Sequence, residues 1–127
     1  MCIRDSYNCA LNPLGALAGR RYGELTRDPA TRVLVESVIR EIFGVLAAAE
    51  IPIAWTDPEA YLRHFHADLI PPTARHESSM LQDLRAGRPT EIEALCGAVE
   101  RLGAEVGVET PVVSSLATLV RASDAGS

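Results

Sequence analysis

Apolar residues recur at three- and four-residue steps along most of this chain, which is the spacing of one buried face of an α-helix. Two runs show the pattern clearly, one between residues 35 and 46 and one between residues 112 and 120. Their apolar positions are Val35, Val38, Ile39, Ile42, Val45 and Leu46 in the first run, and Val112, Val113, Leu116, Leu119 and Val120 in the second. Strand signals do not recur in this way, so the pattern predicts an all-α fold.

Helix boundaries are marked by capping residues, prolines and glycines. Asp28, Asp57 and Thr110 each precede a proline, which the first helical position tolerates because its missing N–H would be unpaired there anyway. Thr90 and Glu93 form a capping-box pattern. C-terminal caps or turns are predicted at Gly19, Gly23, Gly87 and Gly107. These marks predict a helical bundle of about six helices, over residues 8–18, 29–49, 58–70, 78–86, 91–106 and 111–122.

Two glycines lie inside the predicted fifth helix. Gly97 and Gly103 would each cost about 1 kcal/mol relative to alanine in a helix interior. The simplest explanation is close packing of this helix against a neighbour. A ligand that must approach the helix would require the same small residues.

Composition places the chain among single-domain globular proteins. It has 127 residues, of which 47% are hydrophobic and 23% charged, and a formal net charge of −5. The basic residues are all arginine and form no extended run, so we expect no nucleic-acid partner. The apolar stretch at 43–49 is too short to cross a membrane and no signal-peptide core is present, so we expect a cytoplasmic protein. The three cysteines lack CxxC spacing and indicate free thiols, with Cys9 and Cys96 as small core residues.

Three short segments offer polar groups to a ligand. Asn8 and Asn12 are four residues apart and share one helix face; alternatively, one caps the helix and the other precedes Pro13 in a turn. Residues 76–83 place serines at a helix start, where free N–H groups favour a carboxylate, although a serine that only caps the helix gives the same pattern. Glu91 lies in the first turn of the predicted fifth helix, where an acid commonly complements the helix dipole.

Metal and phosphate sites are not predicted. His64 and His66 are two residues apart on a helix and point to different faces, and no cysteine or carboxylate completes a ligand spacing with them or with His76. Gly103 and Gly107 lie in a helix and at its end, without the preceding strand that a phosphate-binding loop requires.

Three segments together resemble the C-terminal domain of the ketopantoate reductase family. Residues 8–17, Asn-Cys-Ala-Leu-Asn-Pro-Leu-Gly-Ala-Leu, are similar to its asparagine-rich first helix. Residues 78–84 and 88–93, followed by Gly97, resemble its most recognisable stretch, and residues 107–111 resemble its closing turn. The order and spacing agree from residue 7 to residue 122, which we interpret as the substrate domain, with residues 123–127 as a short tail.

The resemblance implies a fold and a function. It implies a helical bundle like the C-terminal domain of 6-phosphogluconate dehydrogenase, in an NADPH-dependent enzyme that reduces ketopantoate to pantoate in pantothenate biosynthesis. By the same resemblance, Asn8, Asn12 and Ser79 bind the substrate, and Glu91 is a catalytic residue that orients the substrate and a catalytic lysine. NADPH is expected in an N-terminal Rossmann domain. The expected partners are ketopantoate, that Rossmann domain and a second copy of the chain in a homodimer, with no membrane or metal.

Two departures from the family pattern shape the functional prediction. Arg4 stands one helical turn before Asn8, where the family has its general-acid lysine, and residues 1–6 fit the pattern poorly, as a truncated gene or a sequence artefact would. No Gly-x-Gly-x-x-Gly unit is present for NADPH. The chain is therefore expected to lack the Rossmann domain and to be inactive alone. Two alternatives are a reductase of another small 2-oxo acid and a non-catalytic helical binding or dimerisation module.

Overall fold

Every regular element of the protein is a helix within the part that the computed structural model describes, residues 3–55 and 57–125. The predicted all-α fold is confirmed. The helices, numbered here in chain order, are α1 Ile3–Ala18, α2 Tyr22–Arg27, α3 Pro29–Ala48, α4 (α-helical Pro58–His64, π-helical Phe65–Leu69 and α-helical Ile70–Thr73), α5 Ser79–Ala86, α6 (π-helical Glu93–Gly97 and α-helical Ala98–Val106) and α7 Pro111–Ala125.

Several helix boundaries differ from the prediction. The first helix begins at Ile3 rather than at residue 8, so residues 3–6 are helical. The helix predicted to end at residue 70 continues to Thr73, and the last helix continues from residue 122 to Ala125. Residues 1–2 and 126–127 lie outside the described residues. The short helix α2 was not predicted because Gly23 was interpreted as a turn, whereas it lies inside the helix with its N–H bonded to the Ala74 carbonyl at 2.8 Å. The other glycines of that set, Gly19, Gly87 and Gly107, have the positive φ expected of a helix end.

The core lies between α1, α3, α6 and α7, which pack against one another. The apolar run of α3 is fully buried, as its periodicity predicts. In α7 the prediction is wrong for Leu119, which is 54% exposed, while Val113, Leu116 and Val120 are buried. Cys9 on α1 and Cys96 on α6 are buried free thiols, as predicted, and a hydrogen bond with Cys96, followed by burial, raises the pKa of Cys9. Cys2 lies outside the described residues.

The predicted helix caps form where the capping side chain and the N–H group that it binds are close in the sequence. The Asp28 carboxylate accepts the Ala30 N–H at 3.0 Å, and the Asp57 carboxylate accepts the Ala60 N–H at 2.8 Å. The cap predicted at Thr110 is wrong, because its hydroxyl pairs with the Ser114 hydroxyl instead. The start of α7 is capped instead by Glu41 of α3, whose carboxylate accepts the N–H groups of Val112 and Val113.

The predicted capping box is also wrong. The Glu93 carboxylate does not return to Thr90 but accepts hydrogen bonds from the Arg121 guanidinium at 2.7 and 2.9 Å. These bonds lower the pKa of Glu93. Thr90 instead donates to Asp124 at 2.5 Å. The start of α6 is therefore tied to α7 by side chains, in addition to the local bond from the Ile92 N–H to the Thr90 hydroxyl oxygen at 3.4 Å.

The two predicted helix-interior glycines have different surroundings. A Cβ on Gly103 would lie 2.8 Å from the carbonyl oxygen of Val108, in the turn that follows the helix, and 3.6 Å from the Val45 side chain of the neighbouring α3. A Cβ on Gly97 would lie 2.6 Å from Oε1 of Glu93, which belongs to the same helix and not to a neighbour. The described helices include none that is long and apolar enough to span a membrane.

Candidate functional site

One face of α1 carries both asparagines of the predicted site. The helix continues through Pro13, so Asn8 is not a cap and Asn12 does not begin a turn, and these two alternatives are wrong. Asn8 is half-buried and Asn12 is 9% exposed. Because residues four apart lie one above the other, both carboxamides are on the same side of α1.

The start of α5 meets α1 at Asn12. Ser78 is the N-terminal cap of α5, and its Oγ accepts the Leu81 N–H at 3.2 Å. The Ser78 hydroxyl lies 2.8 Å from the Asn12 carbonyl oxygen and 2.9 Å from Asn12 Oδ1. The neighbouring Ser79 hydroxyl donates to the same Oδ1 at 3.3 Å. The structure therefore brings together two of the predicted substrate-binding residues, Asn12 and Ser79.

A groove of about 570 Å³ opens beside Asn8, between α1 and α4. Trp55 forms part of its wall and stacks on His64 with ring centroids 4.9 Å apart, and Tyr61 meets Trp55 edge-on at 5.7 Å. The complete lining is Arg4, Tyr7, Asn8, Trp55, Tyr61, His64, Leu69 and Thr73. The groove thus has polar groups on α1 and aromatic rings opposite them.

The wall formed by α4 has an irregular backbone. Its π-helical turn, Phe65–Leu69, comes directly before Pro71 and Pro72. A proline inside an α-helix clashes with the carbonyl four residues earlier, and for these two prolines that carbonyl lies in the π turn. The wider turn relieves the clash and keeps α4 continuous past the groove. Such turns are frequent at functional sites.

The position of Glu91 differs from that of the other predicted residues. It lies in the bend before α6, its side chain is exposed, and it makes no side-chain hydrogen bond with any described residue. Its backbone carbonyl accepts the Leu95 N–H at 3.0 Å, which helps to start α6. Since α1 packs against both α5 and the π turn of α6, the segments that carry Ser79 and Glu91 lie against the same helix.

His64 and His66 each form a hydrogen bond with a carboxylate. His64 Nδ1 lies 2.8 Å from the Asp68 carboxylate, and His66 Nε2 lies 2.8 Å from the Glu36 carboxylate. As predicted, the two rings serve different faces of α4. Among residues 3–55 and 57–125, no three His, Cys, Asp or Glu side chains are grouped as metal ligands. The same residues contain no strand followed by a glycine-rich turn, so they do not form a dinucleotide cradle.

A comparison with known families decides the relationship. The family described as "Ketopantoate reductase PanE/ApbA C terminal" matches residues 5–124. The chain belongs to this family. The 2-dehydropantoate 2-reductase of Aquifex aeolicus is 47% identical over 118 residues, which are 93% of this chain and 38% of that protein. The chain thus spans about two fifths of the length of such ketopantoate reductases.

Solved structures give the same fold. The PanE/ApbA family ketopantoate reductase of Ralstonia eutropha JMP134 superposes with a TM-score of 0.84 at 29% identity, over 98% of this chain and 40% of that one. A D-mandelate dehydrogenase, solved with NADH and anilino(oxo)acetate, superposes with a TM-score of 0.85 at 28% identity, over 98% of this chain and 40% of that one. The helical bundle of this family is therefore shared by a ketopantoate reductase and a D-mandelate dehydrogenase.

Two parts of the site were not predicted from the sequence. No local signal indicates that the Ser78 hydroxyl reaches Asn12, 66 residues away. The aromatic wall was also missed, because His64 was examined only as a metal ligand. The lone tryptophan, Trp55, in the loop between α3 and α4 was the available signal. Arg4, one turn before Asn8, lies on the groove but just outside the family match.

Proposed function

We propose that this chain is the substrate-binding domain of an NADPH-dependent 2-dehydropantoate 2-reductase, which reduces ketopantoate to pantoate. The observation that carries the proposal is the cluster of Asn12 and Ser79, with Asn8 one turn away beside an open groove. These are the residues that the family resemblance assigns to the substrate. NADPH, which supplies the hydride, is assigned to an N-terminal Rossmann domain.

The side chains of the cluster suit a 2-oxo acid. Its carboxylate and ketone oxygens are acceptors, and the amides of Asn8 and Asn12 are donors. The Ser79 hydroxyl becomes a donor to the substrate when it rotates away from Asn12 Oδ1, its acceptor at 3.3 Å in this structure. Bonds from such donors to a carboxylate are stronger than bonds between neutral groups. We assign substrate binding to these three residues and, to Glu91, the orientation of the substrate and of a catalytic lysine.

Arg4 cannot replace that lysine. A guanidinium stays protonated throughout the working range of proteins and cannot donate a proton to the developing alkoxide, whereas a lysine can. Arg4 is exposed on the first turns of α1, one turn before Asn8. We therefore propose that the chain as it stands does not reduce ketopantoate, even when a cofactor domain is supplied, until Arg4 is changed to lysine.

The test is a fusion of this chain to the N-terminal part of the Aquifex aeolicus relative, with and without Arg4→Lys. NADPH oxidation on addition of ketopantoate is expected for the Arg4→Lys fusion only. Within that fusion, Glu91→Gln should mainly lower kcat, and Ser79→Ala should mainly raise KM, because the serine contributes binding. Glu93→Gln is the matched control, since Glu93 is held by Arg121. Loss of turnover in Glu93→Gln but not in Glu91→Gln would refute the role of Glu91.

A second candidate is a reductase of a 2-oxo acid that carries an aromatic ring. The specific observation is the wall of Trp55, Tyr61 and His64 opposite Asn8, together with the fold shared with a D-mandelate dehydrogenase solved with anilino(oxo)acetate. Under this reading, the fusion prefers phenylglyoxylate to ketopantoate in kcat/KM, and Trp55→Ala removes the preference. A preference for ketopantoate that Trp55→Ala leaves unchanged would exclude this candidate.

A further inference from the structure

Ser78 has more hydrogen-bond partners than a helix cap requires. Its side chain is 0% exposed, and one bond, from the Leu81 N–H, is enough to cap α5. The two other close contacts of its hydroxyl are both to Asn12. The same atom therefore ends α5 and holds a side chain of the candidate substrate site.

These contacts fix the orientation of the Asn12 carboxamide. Oδ1 accepts the Ser79 hydroxyl and shares the single hydroxyl proton of Ser78 with the Asn12 carbonyl oxygen, so the amide oxygen is turned toward α5. Nδ2 points the other way and makes no hydrogen bond with any described residue, although the residue is 9% exposed. A nearly buried amide with a satisfied oxygen and free N–H groups offers donors only.

The backbone of α1 is built to admit Ser78. Gly15 lies three residues after Asn12, and a Cβ at that position would be 3.1 Å from the Cβ of Ser78. A contact of that length is tighter than side chains normally make, so a larger residue in α1 would push Ser78 away from Asn12. The close approach of α1 and α5 is what brings the hydroxyl within reach.

We infer that Ser78 is a positioning residue, which holds the Asn12 carboxamide so that its N–H groups face an oxygen of the bound 2-oxo acid. The inference rests on the proposed function, because it assigns the ligand through that function. A carboxamide free to rotate could present its oxygen to the anionic substrate and repel it. Fixing the donor in advance also removes the entropy cost of ordering the side chain on binding.

The first test needs only this chain. In ¹H–¹⁵N NMR spectra, the side-chain amide pair of Asn12 is identified by its loss in Asn12→Asp. We expect it to be rigid in the wild-type chain and to become mobile and shifted in Ser78→Ala. Ser78→Cys replaces the hydroxyl with a larger thiol that is a weaker donor, so it should show a smaller change in the same direction. Asp28→Ala, which removes the cap of α3 instead, should leave the pair unchanged. An Asn12 amide that stays rigid and unshifted in both Ser78 variants would overturn the inference.

The second test is a double-mutant cycle in the Arg4→Lys fusion, with folding of each variant checked by circular dichroism. Ser78→Ala should raise KM for the 2-oxo acid by roughly three- to tenfold, the effect of one lost hydrogen bond. In the Asn12→Ala background it should have little further effect on KM, because it acts through Asn12. Asp28→Ala, a cap lost elsewhere, should leave KM unchanged.

The possible outcomes distinguish a failure of the positioning role of Ser78 from a failure of the proposed function. Multiplicative effects of Ser78→Ala and Asn12→Ala on KM would show that Ser78 is merely a cap. A fusion that reduces no 2-oxo acid would refute the proposed function, and the NMR comparison would still decide whether Ser78 orients Asn12.

Discussion

Glu41 offers a stability test in which a side chain of α3 caps α7. Its two carboxylate oxygens accept the backbone N–H groups of Val112 at 2.8 Å and Val113 at 2.9 Å. The four N–H groups at a helix start have no partner within the helix, so these bonds satisfy two of them. Glu41→Ala removes both bonds and the negative charge beside the positive end of the helix dipole.

The cost can be worked from these contacts. Loss of a side chain that caps a helix costs about 0.5–2 kcal/mol, and a charge at a helix end contributes about 0.3–1 kcal/mol. We expect Glu41→Ala to lower the free energy of unfolding by about 1–3 kcal/mol, allowing for overlap between the two effects. Glu41→Gln keeps one acceptor and loses the charge, so it should cost about 1 kcal/mol.

Urea unfolding followed by far-ultraviolet circular dichroism measures the effect as a shift of the midpoint at constant slope. Thr110→Val is the matched comparison, because the sequence predicts Thr110 as the cap whereas its hydroxyl pairs with Ser114. It should cost well under half as much as Glu41→Ala. If Thr110→Val were the more destabilising change, and Glu41→Ala stayed within about 0.5 kcal/mol of wild type, the assignment of the cap to Glu41 would be refuted.

Further predictions concern backbone space and titration. Gly103→Ala should destabilise the chain by about 1–3 kcal/mol in the same unfolding assay, because the added Cβ would lie 2.8 Å from a backbone oxygen. Gly97→Ala should cost less, because its added Cβ would meet the end of an exposed side chain that can move. The backbone N–H that Asp28 accepts, and then Arg20, lower the pKa of Asp28. The stability from this carboxylate is present above its ordinary pKa of 3.8 and is lost as pH falls through the lowered value, so Asp28→Asn should cost more near neutral pH than in strong acid. Burial raises the pKa of Tyr22 to about 12. The last tyrosine to ionise in an absorbance titration should therefore be missing in Tyr22→Phe. The stability that comes from keeping this phenol neutral should be lost as the pH rises through that pKa.

The features that the sequence predicts correctly depend on near neighbours. The buried face of α3 follows from three- and four-residue spacing alone. The caps at Asp28 and Asp57 form with N–H groups two and three residues away. Such features can be predicted because the interacting groups are fixed by one helical turn of backbone.

The features that were missed depend on distant partners. The helix α2 begins with N–H groups that bond to the carbonyls of His76 and Ala74. The cap of α7 comes from Glu41, 71 residues before Val112. Periodicity and capping signals contain no information about such pairs. The same limit applies to Ser78 and Asn12, whose contact forms only when α5 packs on α1.

The candidate site divides in the same way. Asn8, Asn12 and Ser79 were predicted from a family resemblance, since their spacing alone equally allows caps and turns. Their joint position depends on helix packing. Glu91 was predicted by the same resemblance, and its exposed carboxylate contacts none of the other three among the described residues. Its role therefore stays a prediction that the fusion experiment tests.

The packing of α1 against α7 has a consequence for biosynthesis. α1 leaves the ribosome before α7, and the two helices are in contact in the folded domain. At roughly 5–20 residues per second, about 5–20 s of translation separate them. During that interval the face of α1 that packs on α7 in the finished domain lacks this cover. The domain therefore cannot be completed helix by helix as it is made, and a nascent chain that stops before α7 presents an apolar surface for chaperones to bind.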